Sequence, residues 1–345
     1  RYKEAGFFIN LALKENSDFI DARLNQAALF LSLGLFKEGW VAYESRYHPD
    51  NLERQAFPPR INTAQWQGES LTGKSILIWS EQGIGDEVMF SSCLSDLEKT
   101  KCNIILVCEK RLQHTFKRSF PFAKVLEMDE TNSYQSIVSS LDYHCAIGSL
   151  PKFFRNSIND FDRSGCYLKV SQKLLLRWKE RYKLLKYPVN IGISWRGGQG
   201  RKRQQRSITL MKWLPILKHK VNFINLQYGQ HEDEISVFEH KTGVHLNAWG
   251  DANPLTDIDN FAAQIKALDL VISIDNSTVH FAGGLGVRTF VLLPYAQDWR
   301  WMEEREDSLW YPQVLSLFRQ AREGDWESVI KTVELSLVEF LTELS

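Results

Sequence analysis

The sequence lacks any hydrophobic stretch long enough to cross a membrane. A spanning helix needs about 18 consecutive apolar residues, and no run in this sequence approaches that length. An excess of charge of one sign is also lacking, since 42 lysines and arginines balance 42 aspartates and glutamates. Proteins that bind nucleic acids or membranes through basic residues usually carry a clear basic excess. We therefore expect no transmembrane segment and no nucleic-acid partner.

Cysteine arrangements typical of disulfides or zinc sites are absent as well. The five cysteines stand at positions 93, 102, 108, 145 and 166, without a Cys-x-x-Cys pair or a histidine at zinc spacing. We expect reduced thiols, a cytoplasmic protein and no metal site. The sequence starts inside a helical pattern, so we interpret it as an excerpt in which the lack of a signal peptide means little.

With 345 residues, 43% of them hydrophobic, the chain is long enough for about two domains with their own cores. Apolar residues recur at helical spacing through the first fifty positions, with breaks at Asn16–Asp18 and Gly34. This pattern predicts a helical segment over residues 1–55. Prolines and glycines between residues 50 and 72 indicate a linker.

Short apolar runs then alternate with segments of helical length, which predicts parallel sheets covered by helices. The predicted strands are Ser75–Trp79, Asn103–Cys108, Lys124–Met128, Tyr143–Ile147, Val189–Trp195, Val221–Gln227, Leu268–Ile274 and Thr289–Leu293. Helices are predicted over 208–218 and 258–267, from Ser277, and from Asp325 to about Leu341. We expect an α/β protein with one domain over 56–187 and another over 188–345, and a ligand cleft at the carboxyl ends of the strands.

The turn after the first predicted strand, Trp79–Glu87, is the first motif that could carry chemistry. Gly83 and Gly85 allow a tight turn and close approach of the backbone to a ligand. Asp86 has two interpretations: a general base that takes a proton from an acceptor hydroxyl, or a cap for the amides of the next helix. A helix N-terminus stabilises a carboxylate and weakens it as a base, and the sequence leaves both interpretations open.

The same turn partly matches the Gly-x-Gly-x-x-Gly pattern of dinucleotide-binding folds. Val88 stands at the third glycine position, which weakens the match, while Glu109 falls where a ribose-binding acid is expected. A nicotinamide-dependent oxidoreductase is therefore an alternative function.

The segment Asp275–His280 follows the apolar run that ends at Ile274 and opens a predicted helix. Such a helix opening favours an anion, because its amides and its dipole both attract negative charge. Asn276 and Ser277 could donate hydrogen bonds to phosphate, His280 could point at the same oxygens, and Asp275 could accept from sugar hydroxyls. A capped helix with a core histidine is the alternative.

A basic, glycine-containing loop follows the strand that ends at Trp195. Basic side chains in such a loop suit a diphosphate leaving group, although a solvated loop or a nucleic-acid patch would have the same composition. The members of this loop are Arg196, Gly197, Gly198, Arg201, Lys202, Arg203 and Arg206.

Weaker signals have ordinary structural interpretations. Asp257 and Asp259 form an Asp-x-Asp pair that could hold a divalent metal, but their position before a predicted helix favours a cap. The aromatic segments Asp298–Trp301 and Trp310–Pro312 would be core or cleft wall.

Taken together, the motifs resemble bacterial tetratricopeptide-repeat proteins that carry a heptosyltransferase-like glycosyltransferase domain. The matching pieces, in family order, are "DARLNQAALFLSLGLFKEGWVAYESR", "WSEQGIGDEVMF", "DYHCAIGSLPKFF", "GISWRGG" with "RSITL", "INLQYGQ", "LDLVISIDNSTVHFAGGLG", "LLPYAQDWRWM" and "WYPQVLSLFRQ". The resemblance spans roughly residues 20 to 335. It implies the GT-B arrangement of two facing Rossmann-like domains with parallel sheets, preceded by a short all-α repeat segment.

The resemblance also implies a function: inverting, metal-independent transfer from a nucleotide-diphosphate sugar, with no cofactor beyond that co-substrate. Asp86 matches the family's catalytic base. Contacts with the donor are implied at Gly83, Gly85, Arg196, Arg206, Gln227, Asp275, Asn276, Ser277 and His280. Asn276 stands where threonine is usual, which puts the sugar preference in doubt.

The repeat segment suggests a protein or glycan acceptor, because tetratricopeptide repeats form concave peptide-binding surfaces. A non-catalytic binding or scaffold protein with the same fold is the alternative if Asp86 serves only as a cap.

Overall fold

The computed structural model describes residues 2–48, 51, 61–128, 140–161, 166–197 and 205–344. The chain divides into two compact units, Arg1–Gly165 with Asp298–Arg305, and Cys166–Gln297 with Glu306–Ser345. The N-terminal helices thus cluster with the first unit, whereas the sequence set residues 1–55 apart and divided the rest at 187/188. Pro58 and Pro59 of the predicted linker, and Gly198, Arg201, Lys202 and Arg203 of the basic loop, lie outside the described residues.

The first unit contains, within the described residues, a five-stranded parallel sheet in the order β1-β5-β2-β3-β4. Its strands are β1 (Ala64–Gln65), β2 (Ser75–Trp79), β3 (Asn103–Cys108), β4 (Ala123–Glu127) and β5 (Tyr143–Ala146). Ile76, Leu77 and Ile78 in β2 are fully buried, as expected for a parallel strand covered on both faces. The four predicted strands of this half are confirmed to within one residue at each end, and β1 was not predicted.

The second unit contains, among the residues described, a six-stranded parallel sheet in the order β11-β10-β9-β6-β7-β8. Its strands are β6 (Asn190–Ser194), β7 (Asn222–Asn225), β8 (Leu246–Asn247), β9 (Leu270–Ile274), β10 (Thr289–Leu293) and β11 (Leu315–Arg319). The predicted α/β architecture with two parallel sheets is confirmed. The sequence missed β8 and β11.

Helices flank both sheets. Those of the first unit are α1 (Tyr2–Glu15), α2 (Ile20–Ser32), α3 (Phe36–Tyr43), α4 (Ile84–Phe90), α5 (Leu94–Glu98), α6 (Gln113–Ser119) and α7 (Pro151–Phe154). Those of the second are α8 (Gln172–Lys183), α9 (Leu214–Leu217), α10 (Glu232–Thr242), α11 (Ile258–Lys266), α12 (Ser277–Leu285) and α13 (Trp326–Glu343). In the described part of the chain, no helix combines the length and apolar character needed to cross a membrane.

Two helical predictions need correction or refinement. The helix predicted over 208–218 is a 3-10 turn, Leu210–Trp213, followed by the short α9, because Pro215 has no N–H to continue a helix from the preceding turn. The final helix lies within the domain predicted over 188–345, although its pattern would also allow it to pack on the other half, and it belongs to the second unit. Val333 and Leu337 of α13 share a buried core with Ile193 of β6.

The helix α8 explains why the division between units falls before residue 187. The Nε1 atom of Trp178 donates a buried hydrogen bond of 2.8 Å to Asn260 of α11, and the Tyr182 hydroxyl donates to the Gln264 carbonyl at 3.3 Å. These contacts fix α8 to the second unit. All five cysteines are free thiols, and Cys93, Cys108 and Cys145 are buried, in line with the expectation of reduced thiols.

Candidate functional site

The strand order of the second sheet reverses between β6 and β9. The chain runs from β6 outward to β7 and β8 on one side, and from β9 to β10 and β11 on the other. Loops that leave two such strands diverge and open a crevice at their carboxyl ends, where α/β sheets bind ligands. The predicted motifs that begin at Trp195 and Asp275 both occupy this switch point, because each directly follows one of the two strands.

Asn276 connects the two loops at the switch point. Its Oδ1 atom accepts a hydrogen bond of 3.0 Å from the Thr278 N–H, so it is the N-cap of α12. Its Nδ2 atom donates to the Ser194 hydroxyl at 2.7 Å and to the Arg196 carbonyl at 3.4 Å. The amide that the sequence assigned to donor binding is therefore engaged within the protein, and the cap interpretation is confirmed.

Asp275 and Arg206 form an ion pair at the same place. The Arg206 Nη1 atom lies 2.7 Å from Asp275 Oδ2, and the Asp275 side chain is only 6% exposed. Ser277, the first residue of α12, is partly exposed. The structure therefore brings together Asp275, Asn276, Ser277 and Arg206, four of the predicted site residues.

His280 lies one turn into α12 and is buried. Its Nδ1 atom is 2.9 Å from the Tyr311 hydroxyl. The Tyr311 ring packs so closely over α12 that a Cβ atom on Gly283 would lie 2.5 Å from it, which explains the glycine there. Sequence reasoning did not single out Tyr311 as a partner of His280, and residue spacing offers no signal for it.

Gln227 connects the ends of β6 and β7. Its Oε1 atom accepts from the N–H groups of Trp195 and Arg196 at 2.9 and 2.7 Å and from the Ser194 hydroxyl at 3.1 Å. Its Nε2 atom donates to the carbonyls of Arg196 and Tyr228 at 3.2 and 3.0 Å. This buried side chain stabilises the switch point, so the structure gives it a structural role beside the predicted contact with the nucleotide.

Arg196 makes a bidentate ion pair with Glu234, at 2.6 and 2.8 Å. Burial alone raises the pKa of Glu234, but hydrogen bonds from Arg196, the Leu210 N–H and Trp195 outweigh it and lower that pKa. The hydrogen bond to Glu234 is the main reason why the pKa of Arg196 is raised. The predicted diphosphate contact at Arg196 thus belongs to a side chain with an intramolecular partner, Glu234, that the sequence did not reveal.

A cavity of about 720 Å³ opens at the carboxyl ends of β7 and β8. Polar, aliphatic and aromatic side chains all line it. They include Gln227, Tyr228, His231, Glu239, Asn247 and Trp249. Because Gln227 and Asn276 both contact the Arg196 carbonyl, the cavity is connected to the opening of α12 through directly bonded residues.

In the first unit, Asp86 is the third residue of α4, and Gly83 is the N-cap. The Oδ2 atom of Asp86 accepts from the Gly83 N–H at 3.1 Å. Asp86 therefore bonds back to the N-cap from the third position of α4 and is not itself the N-cap that the sequence offered as an alternative, while its role as a base stays a prediction. Gly83 is exposed and Gly85 partly exposed at this turn, so their predicted contact with a ligand also stays a prediction.

Arg300 is a residue that the sequence analysis missed. It lies in the segment Asp298–Arg305, which clusters with the first unit, and its Nη2 atom donates to Oδ1 of Asp86. The segment was interpreted only as an aromatic wall, and a distance of 214 residues along the chain separates the two partners.

Glu87 and Glu109 lie close to the same turn. Burial raises the pKa of Glu87 to about 8, although its carboxylate accepts from the Glu109 N–H at 3.1 Å. The Glu109 side chain, the ribose-binding acid of the oxidoreductase alternative, binds both the N–H and the Nε atom of Arg111. Neither carboxyl group was predicted to have these partners.

Other sequence signals resolve as structural features. Asp257 accepts from the Asn260 N–H at 3.0 Å and caps α11, as predicted. No group of three or more histidine, cysteine or acidic side chains in the described part of the chain is arranged to hold a metal ion.

No protein-family model matches the chain. Among curated proteins, Protein FlbA of Caulobacter vibrioides is 31% identical over 330 residues, which amount to 91% of this chain and 54% of that protein. The chain therefore spans about half the length of this curated relative.

Solved structures of glycosyltransferases are similar to the chain. The glycosyl transferase family 9 protein from Veillonella parvula DSM 2008 has a TM-score of 0.57 at 12% identity, covering 80% of this chain and 99% of that one. The E. coli ADP-heptose LPS heptosyltransferase II has a TM-score of 0.55 at 10% identity, covering 79% and 100%. The chain has the fold of these glycosyltransferases. This likeness confirms the GT-B fold class predicted from the sequence.

Proposed function

We propose that the protein is a glycosyltransferase that moves a sugar from a nucleotide-diphosphate sugar to a hydroxyl of a protein or glycan, with inversion and without a metal ion. The switch point of the second unit carries this proposal. There the opening of the nine-residue helix α12, the Arg206 guanidinium and a cavity of about 720 Å³ are joined by hydrogen-bonded residues. A helix opening and an arginine suit a diphosphate, and the cavity is large enough for a nucleoside.

The donor diphosphate would lie at the first turn of α12, near Ser277, with Arg206 supplying positive charge. The helix dipole and the guanidinium stabilise the negative charge that develops on the leaving diphosphate. The nucleoside would occupy the cavity lined by Tyr228 and Trp249. The E. coli heptosyltransferase WaaC, whose structure contains ADP, has a TM-score of 0.50 and 10% identity over 77% of this chain and 99% of that one. This neighbour supports a nucleoside diphosphate as the ligand of such a fold.

Asp86 would act as the general base. As the acceptor oxygen attacks the anomeric carbon, its proton passes to the Asp86 carboxylate. The bond between that carbon and the phosphate oxygen breaks, and the nucleoside diphosphate leaves with the electron pair. A positioned base contributes about 10²–10⁴-fold in rate, equivalent to roughly 3–5 kcal/mol.

The acceptor would dock on the N-terminal helices, which we propose to be tetratricopeptide-like. Helix α1 exposes the apolar side chains of Phe7, Phe8 and Leu11, at 64%, 59% and 48%. Exposed apolar side chains on one helix face are typical of a protein-binding surface. Replacing Phe7 and Phe8 with serine should raise the KM for the acceptor and leave the KM for the donor unchanged, and equal changes in both would contradict this docking role.

The test begins with thermal unfolding in the presence of UDP-, GDP-, ADP- and CMP-linked sugars, because a bound donor raises Tm by mass action. Release of free nucleotide from the donors that raise Tm then measures turnover. Asp86→Asn should keep the Tm shift and lose turnover, since an asparagine oxygen can still accept from the Gly83 N–H. Asp142→Asn, at a partly exposed ion pair with Lys74, is the matched control. Failure of every donor to raise Tm would refute the proposal.

A non-catalytic binding or scaffold protein is the second candidate function. One observation favours it: both carboxylate oxygens of Asp86 already have partners, the Gly83 N–H and Arg300. A donor that raises Tm without any release of nucleotide, in the presence of protein and glycan acceptors, would support this candidate.

A further inference from the structure

We propose that Arg300 is a positioning residue for Asp86 and that the N-terminal helix α3 holds Arg300 in place through aromatic side chains. This role rests on the proposed function, because the orientation of Asp86 affects turnover only if Asp86 takes a proton from the acceptor. It also makes the N-terminal helices part of the catalytic apparatus of the first unit, in addition to any part in docking the acceptor.

Arg300 contacts two carboxylates. The Nη2 atom of Arg300 donates to Oδ1 of Asp86, and Nη1 donates to Oδ1 of Asp298 at 2.5 Å. The Arg300 side chain is 11% exposed and that of Asp86 is 23% exposed. With the Gly83 N–H on Oδ2, each oxygen of Asp86 has one donor, so the plane of its carboxylate is fixed. Such charge-assisted bonds are roughly twice as strong as neutral ones.

Aromatic side chains pack beneath Arg300 and support it. Its guanidinium carbon lies 4.6 Å from the centre of the Trp299 ring. That ring in turn meets Trp40 and Tyr43 of α3, at centroid distances of 5.5 and 5.7 Å and in edge-to-face geometry. Trp40 is 1% exposed, and its Nε1 atom donates to the Arg155 carbonyl at 2.7 Å. The support is therefore anchored in the core of the first unit.

Helix α3 also makes a separate contact with the turn before Asp86. The Tyr43 hydroxyl lies 2.8 Å from Nε2 and 3.0 Å from Oε1 of Gln82. Gln82 has a φ of 64°, a left-handed conformation that costs a residue other than glycine about 1–2 kcal/mol. A hydrogen bond from α3 thus helps to hold the strained residue that precedes Gly83. Helix α3 therefore contacts the Asp86 turn directly through Tyr43 and indirectly through Trp299 and Arg300.

Kinetics give the first test, with the donor identified by the thermal panel. Arg300→Met should lower kcat about 100-fold, since misplacing a reacting group by about 1 Å costs that much, and should leave the donor KM unchanged. Arg300→Lys, which keeps a positive donor but not the fork between Asp86 and Asp298, should recover part of the rate. The double variant Arg300→Met/Asp86→Asn should be no slower than Asp86→Asn alone, because residues that act through one group are not additive. Arg322→Met, at a side chain that is 85% exposed, is the matched control.

Hydrogen exchange of residues 81–90 gives a second test that needs no substrate. Arg300→Met and Tyr43→Phe should each accelerate amide exchange at this turn in the ligand-free protein. Val41→Ala changes a neighbouring side chain of α3 that is 64% exposed, and it should not. An unchanged kcat in Arg300→Met, or unchanged exchange in both variants, would overturn the positioning role. Absence of nucleotide release from the unmodified protein, together with accelerated exchange in the variants, would instead overturn the proposed function.

Discussion

Replacing Arg46 with methionine should strongly destabilise the first unit, because it leaves a buried carboxylate without its cation. Arg46 lies at the end of the N-terminal helical segment. It pairs with Glu81, whose side chain has no exposed surface. The Nε and Nη2 atoms of Arg46 donate to the two Glu81 oxygens at 2.9 and 2.8 Å. The Tyr47 hydroxyl and the Gly148 N–H donate to the same carboxylate at 2.7 and 3.0 Å. Gln82 Nε2 donates to the same carboxylate at 3.3 Å, but donors without a charge cannot replace the lost cation.

The expected loss follows from the cost of an unpaired buried charge. Removing one partner of a buried ion pair costs about 3–5 kcal/mol. With a urea dependence of about 2 kcal/mol per molar, this corresponds to a midpoint lower by about 2 M. Urea unfolding followed at both units separately measures the change, and only the transition of the first unit should move. Arg23→Met, at an ion pair with 42% and 81% exposed side chains, is the control and should change stability by less than 1 kcal/mol.

The pH dependence of this loss has a defined sign. Burial alone raises the pKa of Glu81, but Arg46 and the hydrogen bonds outweigh it and hold that pKa below its ordinary value of 4.5. In the unmodified protein this stabilisation is present above pH 4.5 and is lost as the pH falls through the lowered pKa. In Arg46→Met, only hydrogen bonds from neutral groups still oppose burial, so the pKa of Glu81 should rise and the deficit should shrink as the pH falls from 7 towards 5.

A second substitution separates charge from packing. Glu81→Gln in the Arg46→Met background removes the unpaired charge and should restore a large part of the lost stability, because an amide costs less to bury than a carboxylate. A loss below 1 kcal/mol in Arg46→Met, or no rescue by Glu81→Gln, would refute the reasoning and make the network dispensable.

Three further predictions concern single buried contacts. Gln227→Leu should destabilise the second unit by roughly 2–4 kcal/mol in urea unfolding, since it orphans buried donors at the end of β6. Burial raises the pKa of Glu87 to about 8, so its contribution to stability should be complete below pH 4.5 and lost as the pH rises through 8. Tm measured against pH should show this dependence, and Glu87→Gln should remove it. Gly283→Ala should cost about 1–3 kcal/mol through a clash with Tyr311. Gly250→Ala, which meets open space, should leave the midpoint of urea unfolding unchanged.

The central strands could be predicted from the sequence because burial on both faces leaves a continuous apolar run. In β2 and β9, every core position is apolar or small, and the predicted ends of these strands lie close to the observed ones. The strand β8 has only two residues, Leu246 and Asn247, which is too few for a periodic pattern. It forms because it pairs with β7, and pairing between strands is not encoded locally.

The contacts at the candidate site also fall into two groups: local ones, which the sequence can predict, and long-range ones, which it cannot. The bonds that Asp86 and Asn276 make at the starts of their helices follow from local rules, since each side chain bonds to an amide two or three residues away. Arg300 and Tyr311 meet their partners over 214 and 31 residues. Neither contact leaves a trace in residue spacing, and only the tertiary fold brings these side chains together.

The two arginines at the switch point differ in how firmly they are held, and this decides which one a diphosphate could recruit. Arg196 is bound by both oxygens of Glu234, which is itself fixed by the Trp195 indole and the Leu210 N–H. Arg206 makes one hydrogen bond to Asp275, and its buried Nε atom has no partner among the described residues. Among the described residues, turning Arg206 towards an anion breaks one hydrogen bond, to Asp275, whereas turning Arg196 breaks two, to Glu234; each movement separates a carboxylate from its cation. Arg206 is therefore the arginine that better suits the proposed diphosphate site, while the donor contact at Arg196 stays a prediction.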